Sequence, residues 1–141
     1  MTGLSAGECH NAVRRLRLSG LVLADERRPS TELLHEFLVH GAPVAFPPVL
    51  GPDIVGIPTG PSSPALQAVV SSASGFVWAD LNGSARGQSL VPLFPGATEL
   101  PVRNNRLYEL LALVDALRVG TTRVRTIAAG LLAERLGVAG P

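Results

Sequence analysis

Residues 104–138 read NNRLYELLALVDALRVGTTRVRTIAAGLLAERLGV and contain two helical patterns. Each pattern has apolar residues at the i, i+3, i+4, i+7 spacing of one buried helix face. The predicted inward residues are Leu107, Leu110, Leu111, Val114 and Leu117, then Val124, Ile127, Ala128, Leu131 and Leu132. The predicted caps and stops are Asn104 or Asn105 with Gly120, and Thr121 or Thr122 with Gly137. Because the connection is short, we expect an antiparallel helix pair.

Residues 42–101 have the sequence pattern of short strands separated by turns. Brief apolar runs lie between clusters of Gly, Pro and Ser, which is typical of strands, often on sheet edges. The runs are PVAF (43–46), DIVGI (53–57), GFVWAD (75–80) and SLVPLF (89–94). Asn82-Gly83 predicts a hairpin. PTGPSSP at 58–64 predicts a surface loop, and a short helix is expected near residues 64–71.

Length and composition limit the class of protein. At 141 residues, with 46% apolar and 16% charged residues, the chain can form one domain with a packed core. The net charge is only +1, and all twelve basic residues are Arg. Cys9 is the only cysteine, which excludes an intrachain disulfide. Without an apolar leader or a run of about 18 apolar residues, we expect a cytoplasmic protein with no membrane partner.

The N-terminal stretch LSAGECHNAVRRLRLSGLV, residues 4–22, predicts a capped helix. Ser5 and Glu8 have the spacing of a capping box, and Gly20 is placed to end the helix. The apolar residues at the spacing of one buried face are Cys9, Ala12, Val13 and Leu16. LVL at 21–23 is a strand candidate without a clear return strand. A second helix is expected from about residue 29 or 30 to His40, ended by Gly41, with Leu33, Leu34, Phe37 and Leu38 on one side.

The register of residues 4–22 resembles the recognition helix of bacterial winged helix-turn-helix regulators of the MarR-like kind. In that pattern a turn leads into a helix with apolar residues at the positions of Cys9, Val13 and Leu16, and GLV begins the wing. Three further stretches, RRPSTELLHEFLVHG, GIPT and LYELLALVDALRVG, resemble uncharacterised bacterial proteins with a compact tail after a helix-turn-helix. The resemblance implies an α+β fold. Residues 1–41 would form a partial winged helix-turn-helix, with its recognition helix at about 5–18, and 42–141 a small mixed sheet with the C-terminal helix pair.

The function that this resemblance implies is transcriptional regulation through double-stranded DNA, as a homodimer on paired half-sites. Bases would face the N-terminal turns of the helix, at Ala6, Gly7, His10 and Asn11. Asn11 can bind adenine in a bidentate manner, and His10 can donate to guanine. Phosphates would meet Arg14, Arg15 and Arg17, which supply salt-dependent affinity.

A second interpretation is an interaction module without DNA contact, such as an antitoxin-like or accessory partner of another protein. We expect no enzyme, catalytic residue, metal or cofactor. His35 and His40 are five residues apart, whereas a zinc-binding helix needs a separation of four. The residues considered and set aside are Asp25, Asp53, Asp80, Asp115 and Glu109 as turn or solvated positions, Thr59, Ser62 and Ser63 as a surface loop, and Cys9 and Trp78 as core.

The apolar face of the first helix also predicts a packing partner. Leaving Cys9, Val13 and Leu16 in water would forfeit roughly 1.5–3 kcal/mol for each side chain. We expect the helix at 31–40 and the C-terminal pair to cover them, with a second copy of the chain as the next choice. One further hypothesis is that 127–138, which resembles the second helix of a helix-turn-helix, docks on this face.

Overall fold

The computed structural model of the protein describes residues 4–23, 28–69 and 75–138. The helices are α1 (Ala6–Leu18), α2 (Thr31–Glu36), α3 (Ala42–Ala45), α4 (Pro64–Gln67), α5 (Leu100–Arg103), α6 (Asn105–Val119) and α7 (Thr122–Leu136). The strands are β1 (Leu50–Thr59), β2 (Phe76–Ala79) and β3 (Ala85–Leu90). A π-helical turn spans Phe37–Gly41, and 3-10 turns span Gly60–Ser62 and Pro95–Glu99. The predicted α+β class is confirmed.

Helix α6 is the centre of the fold, because every residue from 112 to 118 is buried. It packs against α7, to which only Gly120 and Thr121 connect it. Arg135 near the end of α7 contacts Glu109 near the start of α6 at 2.5 Å, so the two helices are antiparallel, as predicted. The predicted caps are also present, since Asn104 and Thr121 each accept a hydrogen bond from the first turn of their helix.

Two clusters of buried side chains lie on different sides of α6. The larger joins α4, α6 and α7 through Leu66, Leu113, Val114, Ala116, Leu117, Val124, Ala128 and Leu132. The smaller joins the sheet to α5 and α6 through Trp78, Ala97, Leu100, Tyr108 and Ala112. Because both sides of α6 are covered, Asp115 and Arg118 are buried together with its apolar residues. Asp115, which the sequence placed on a solvated face, is therefore a buried residue and that prediction is wrong.

The three strands form a small closed sheet. Strand β1 pairs antiparallel with both β2 and β3, and β2 and β3 pair parallel with each other. The predicted hairpin at Asn82-Gly83 is wrong, because β2 and β3 are not antiparallel neighbours. Ala79 and Ala85 both pair with Gly56, so the turn between them carries the chain from one edge of β1 to the other.

This crossing requires glycine at two positions. A Cβ atom at Gly56 would lie 2.1 Å from the carbonyl oxygen of Trp78, and one at Gly83 would lie 2.2 Å from the backbone of Gly56. Both distances are too short for any real carbon atom, so a side chain at either position would force backbone apart. The turn itself is tight, since the backbone N–H of Gly83 donates to the carbonyl of Asp80 at 3.0 Å.

The segment before β1 differs from its prediction. Residues 43–46 were expected as a strand, but α2, the π-helical turn and α3 form one nearly continuous helical segment to Ala45. Gly41 does not end it, because its backbone keeps a right-handed helical conformation (φ −97°, ψ −44°). The segment ends where Pro47 and Pro48 follow Phe46, since the residue before a proline avoids helical geometry.

The loop at 58–64 was expected on the surface, and most of it is instead buried or half-buried. Thr59, Gly60, Pro61 and Ser63 are inaccessible, and the 3-10 turn packs against α6. Helix α4 follows as predicted, whereas the end of that prediction, residue 71, lies outside the described residues. Strand β3 ends at Leu90, two residues before Pro92 interrupts the run SLVPLF.

Among the described residues, no helix is both long enough and apolar enough to cross a lipid bilayer.

Candidate nucleic-acid interface

Residues within and directly beside α1 define both ends of this helix. The Ser5 hydroxyl accepts a hydrogen bond from the backbone N–H of Glu8 at 3.1 Å, and the Glu8 carboxylate accepts one from the backbone N–H of Ser5 at 2.7 Å. The predicted capping box is confirmed. Gly20 follows the helix in the left-handed conformation (φ +82°), which glycine adopts without strain. The 13-residue helix therefore has defined ends, although it has no buried residue.

A short antiparallel pair follows α1. The backbone N–H of Leu23 donates to Arg28 at 3.1 Å, that of Ser30 donates to Leu21 at 2.8 Å, and Val22 forms a β-bridge with Pro29. No return strand was clear from the sequence, and the structure places the returning segment at 28–30. The helix is thus followed directly by two short antiparallel segments, 21–23 and 28–30, which we name the hairpin. Asp25, in the connection between its arms, lies outside the described residues.

The seven residues predicted to contact DNA are all exposed. At about 100° per residue, they fall within about half of the circumference of α1. They are Ala6, Gly7, His10, Asn11, Arg14, Arg15 and Arg17. The apolar residues Cys9, Ala12, Val13 and Leu16 occupy the other half. Polar and apolar residues are therefore segregated on this helix.

The three arginines of α1 carry uncompensated charge. No carboxylate of the described residues lies within ion-pair distance of Arg14, Arg15 or Arg17, whereas Arg86, Arg103, Arg118 and Arg135 each have such a partner. The positive charge on α1 is therefore available to an anion from outside the described part of the chain.

The apolar half of α1 is not buried by the other residues that the structure describes. Cys9 and Leu16 are exposed and Val13 is only half-buried, and neither buried cluster includes a residue of α1. Cys9, Val13, Val22, His10 and Arg17 line an open groove of about 330 Å³ between the helix and the hairpin. The predictions of a core cysteine and of cover by the second helix and the C-terminal pair are wrong.

The second helix packs elsewhere, which explains the open face. A ring nitrogen of His35, Nε2, lies 2.8 Å from the carbonyl oxygen of Ala129 in the middle of α7. The partly buried Leu38 and Val39 pack on the larger cluster with α6 and α7. These contacts direct the apolar side of the segment toward the C-terminal pair, so it is not available to α1. Helix α7, in turn, buries its apolar side against α6.

A second polar constellation is buried in the core around Asp115, whose exposure is 1%. Its Oδ2 accepts hydrogen bonds from Thr59 Oγ1 and Trp78 Nε1, both at 2.7 Å. Its Oδ1 accepts one from Arg118 Nη1 at 2.8 Å. Burial raises the pKa of Asp115, while the three donors and the positive charge of Arg118 oppose the rise. We name these four residues the Asp115 cluster.

The Asp115 cluster connects α6 with the sheet and with residues 46–47, and it exposes no reactive group. Besides its contact with Asp115, Arg118 donates from Nε to the Phe46 carbonyl at 2.7 Å and from Nη2 to the Pro47 carbonyl at 3.2 Å. Every member has a partner within the cluster, which fits a structural role. Sequence reasoning missed the cluster, although an Asp and an Arg at i, i+3 inside an apolar helix could have indicated it. Trp78 is in the core, as predicted.

Tyr108 lies beside this cluster, with its ring centre 5.7 Å from that of Trp78 in an edge-to-face arrangement. Its hydroxyl donates to the Pro58 carbonyl at 2.6 Å. Burial, and secondarily the charge of Glu109, raises the pKa of Tyr108 from 10.0 to about 12.

The raised pKa predicts a loss of stability in alkali. The neutral phenol is favoured in the folded state, so the contribution of Tyr108 is complete below pH 10 and is lost as the pH rises through 12. The full difference corresponds to about 2–3 kcal/mol. Tyr108 is the only tyrosine, so ultraviolet absorbance of its phenolate measures the titration directly. A midpoint near 10 in the folded protein would contradict the buried hydrogen bond.

The other candidates from the sequence do not form a reactive site. His40 is exposed, Asp53 pairs with Arg86 on the surface, and Asp80 accepts a hydrogen bond from the backbone of the turn that follows it. In the described ranges, no group of three His, Cys, Asp or Glu side chains is placed to hold a metal ion. The Ser63 hydroxyl is buried without a hydrogen-bond partner among the described residues.

None of the protein-family models, curated proteins and solved structures compared with this chain matches it. The interpretation of α1 therefore depends on its own geometry. The likeness of residues 4–22 to a MarR-like recognition helix stays a prediction, and so does the division at residue 41.

Exposure of the apolar face makes a direct prediction for Cys9, the only cysteine in the chain. Its thiol should react with a disulfide reagent such as Ellman's at the rate of a small thiol in water. The rate should not depend on protein concentration, because no other part of the described chain covers this residue. Slow labelling at all concentrations would show that α1 is packed against the protein, and labelling that slows with concentration would show cover by a second copy.

Proposed function

We propose that α1 and the hairpin after it bind double-stranded DNA, and that the protein acts as a transcriptional regulator. One observation carries this proposal. A capped helix without a buried residue presents His10, Asn11 and three unpaired arginines on one half of its surface, and a two-stranded hairpin follows it immediately. A helix followed by a hairpin is the arrangement in which a winged helix-turn-helix contacts DNA, so the geometry favours the same use here.

The dimensions of α1 suit the major groove. Thirteen residues span about 20 Å, and a groove about 12 Å wide admits one α-helix. His10 and Asn11 lie in the middle of the helix, where their polar ends can reach base edges. Asn11 offers both a donor and an acceptor, which is the pattern that adenine presents in this groove.

The local positive charge of α1 also favours this helix as the surface that binds nucleic acid. The net charge of +1 gives the whole chain little attraction for nucleic acid. Arg14, Arg15 and Arg17 concentrate positive charge within two helical turns, which favours the binding of phosphates at this patch. Affinity is therefore expected to fall with added salt.

Two substitutions in α1 separate base contacts from phosphate contacts. Preferred duplexes would first be selected from a randomised pool, and binding free energies then measured at several salt concentrations. Asn11→Ala is expected to cost about 1–3 kcal/mol at one or two base positions and to leave other positions unchanged. Arg14→Ala is expected to weaken all duplexes alike and to reduce the salt dependence by about one counterion.

The control is Arg123→Ala, which removes an exposed arginine from α7 rather than from α1. It should leave both the base preference and the affinity unchanged. Selection of no preferred duplex, together with equal losses from all three substitutions, would refute the assignment of α1 as a DNA-reading helix.

A second candidate function is binding of a protein partner through the other half of α1, as in an accessory or antitoxin-like protein. The open groove at Cys9, Val13 and Val22 favours it, because apolar side chains in a concave surface are typical of protein-binding sites. Val13→Asp distinguishes the two functions. It adds a negative charge on the apolar half, so it should abolish binding of a protein partner. DNA binding through the polar half should survive, although weakened by charge repulsion.

A further inference from the structure

A groove of about 500 Å³ lies between the helical segment at 39–44 and α7, and we name it the α7 groove. Side chains from the π-helical turn, α3, α6 and α7 form its apolar lining, which is aliphatic. The apolar lining residues are Val39, Pro43, Val44, Leu117 and Ala129. Leu117 is 1% exposed, so the groove reaches down to the larger buried cluster, whereas Val44 at its edge is 80% exposed. A groove of this volume is large enough for a small organic molecule.

Hydrogen bonds hold both walls of the α7 groove in place. A ring nitrogen of His35 lies 2.8 Å from the Ala129 carbonyl oxygen, which links α2 to the middle of α7. Arg118 of α6 donates to the carbonyls of Phe46 and Pro47, directly after α3. A groove whose walls are already ordered loses little conformational entropy when a ligand occupies it.

One wall of the α7 groove contains the π-helical turn at Phe37–Gly41. The backbone N–H of Ala42 donates to the carbonyl of Phe37, five residues earlier, which is the hydrogen bond that defines such a turn. Turns of this kind are rare in proteins and occur frequently at functional sites. Val39 and His40 lie within the turn and both line the groove. The irregular backbone therefore coincides with the groove.

The charged lining of the α7 groove is basic. His40 and Arg125 line it together with the exposed Thr122 and Thr126, and no acidic residue is among the described residues of its lining. In the described ranges, no carboxylate lies within ion-pair distance of Arg125. A guanidinium can bind a carboxylate through two parallel hydrogen bonds, and an imidazole ring can donate a further one. The groove thus combines an aliphatic surface with donors for an anion.

We propose that the α7 groove binds a small carboxylic acid with a saturated hydrocarbon chain. Arg125 would hold the carboxylate, with His40 as a second donor, and the chain would lie against Val39, Val44 and Leu117. A saturated chain fits better than an aromatic ring, because no aromatic side chain among the described lining residues offers a face for stacking. The site is independent of the proposed DNA binding, since none of its lining residues belongs to α1.

Titration of the ¹⁵N-labelled full chain with octanoate, followed by NMR, tests this proposal without DNA. Amide shifts should saturate and should be concentrated at residues 39–44 and 122–129. Octanamide has the same chain without the charge and should bind at least about threefold more weakly, which is the size of effect that an exposed ion pair gives. Octylammonium should bind more weakly still, because the guanidinium repels it. The same spectra show whether each variant is folded.

Two matched pairs of substitutions locate the site. Arg125→Gln should raise the dissociation constant for octanoate at least about threefold, whereas Arg123→Gln, at an exposed position of α7 outside the groove, should leave it unchanged. Val44→Asp should also weaken binding, because it places a second carboxylate beside that of the ligand. Val102→Asp, at a position of α5 that is 94% exposed, should have no effect. Arg125→Glu should reverse the preference, so that octylammonium binds more tightly than octanoate.

Four results would overturn the proposal. They are the absence of saturable shifts, equal binding of octanoate and octanamide, equal losses from the groove variants and their controls, and shifts confined to residues 9–22. The last result would place the acid in the groove on α1, which also combines apolar side chains with His10 and Arg17 but belongs to a helix without a buried residue. Because octanoate binding is measured without DNA, a failure of the DNA selection leaves this result unchanged, and the two proposals fail separately.

Discussion

Asp115→Ala is expected to lower the free energy of unfolding by about 3–5 kcal/mol, because it breaks a buried ion pair by removing one partner. The substitution leaves the Arg118 guanidinium charged in a nearly inaccessible place and removes the acceptor of Thr59 and of the Trp78 indole N–H. Each buried polar group that loses its only partner retains the full cost of its dehydration. The loss should therefore exceed that of an ordinary surface substitution severalfold.

Urea unfolding measures this loss, followed by Trp78 fluorescence and by far-ultraviolet circular dichroism. The matched control is Asp53→Ala, which also removes an aspartate from an ion pair with arginine. Both side chains of that pair are about two-thirds exposed, so the change should stay within about 1 kcal/mol. Equal effects of the two substitutions would mean that water reaches Asp115, and the Asp115 cluster would not be the link between α6, the sheet and the segment at 46–47.

Gly56→Ala is expected to destabilise the protein by about 3 kcal/mol or more, because a methyl group there has no free space. Its carbon would lie 2.1 Å from the Trp78 carbonyl oxygen and 2.9 Å from Val77 Cβ. Backbone atoms of a paired strand cannot rotate away as the end of a flexible side chain can. The three-stranded sheet must therefore open where the chain crosses β1.

Gly130→Ala is the matched control for this prediction. Gly130 is exposed within α7, and a Cβ atom there would meet nothing within 4 Å. Alanine stabilises a helix interior by about 0.5–1 kcal/mol relative to glycine, so this variant should become more stable. Opposite signs for the same chemical change are the expected result, measured as shifts in the urea midpoint. A Gly56→Ala variant as stable as the unsubstituted protein would exclude the closed arrangement of the strands.

The two parts of the molecule differ in how closely they are packed. The central helix α6, the sheet and α7 form a densely packed body, within which the polar groups of the Asp115 cluster satisfy one another. Helix α1 contributes nothing to the buried clusters, yet its caps, its segregated faces and its unpaired arginines are well defined. A helix that adds so little to the core is the most direct candidate for contact with another molecule.

Local features were predictable from the sequence. The capping box of α1, the asparagine and threonine caps of α6 and α7, and the end of α7 at Gly137 were all predicted and are present. Each involves residues within a few positions of one another, so a short stretch contains both partners. The antiparallel pairing of α6 and α7 followed as well, because only Gly120 and Thr121 separate them.

Periodicity predicted which residues could be buried, but not whether anything would cover them. Cys9, Val13 and Leu16 have the spacing of a core face and are open, since the segment at 31–45 packs on α6 and α7 instead. Asp115 is buried, although aspartate is usually a surface residue, because other elements cover α6 on both sides. The spacing of apolar residues describes one helix or strand at a time, whereas burial of a face requires a second element that packs against it.

The sequence by itself thus determined helices α1, α6 and α7 with their ends, and the α+β class, because these depend on neighbouring residues. The tertiary structure alone decided that β2 and β3 lie parallel on the two edges of β1, and that Asp115 meets Thr59 and Trp78. Those partners are 56 and 37 residues away from Asp115 along the chain. Contacts over such separations depend on the path of the whole chain, and two glycines at the crossing, Gly56 and Gly83, are what permit that path.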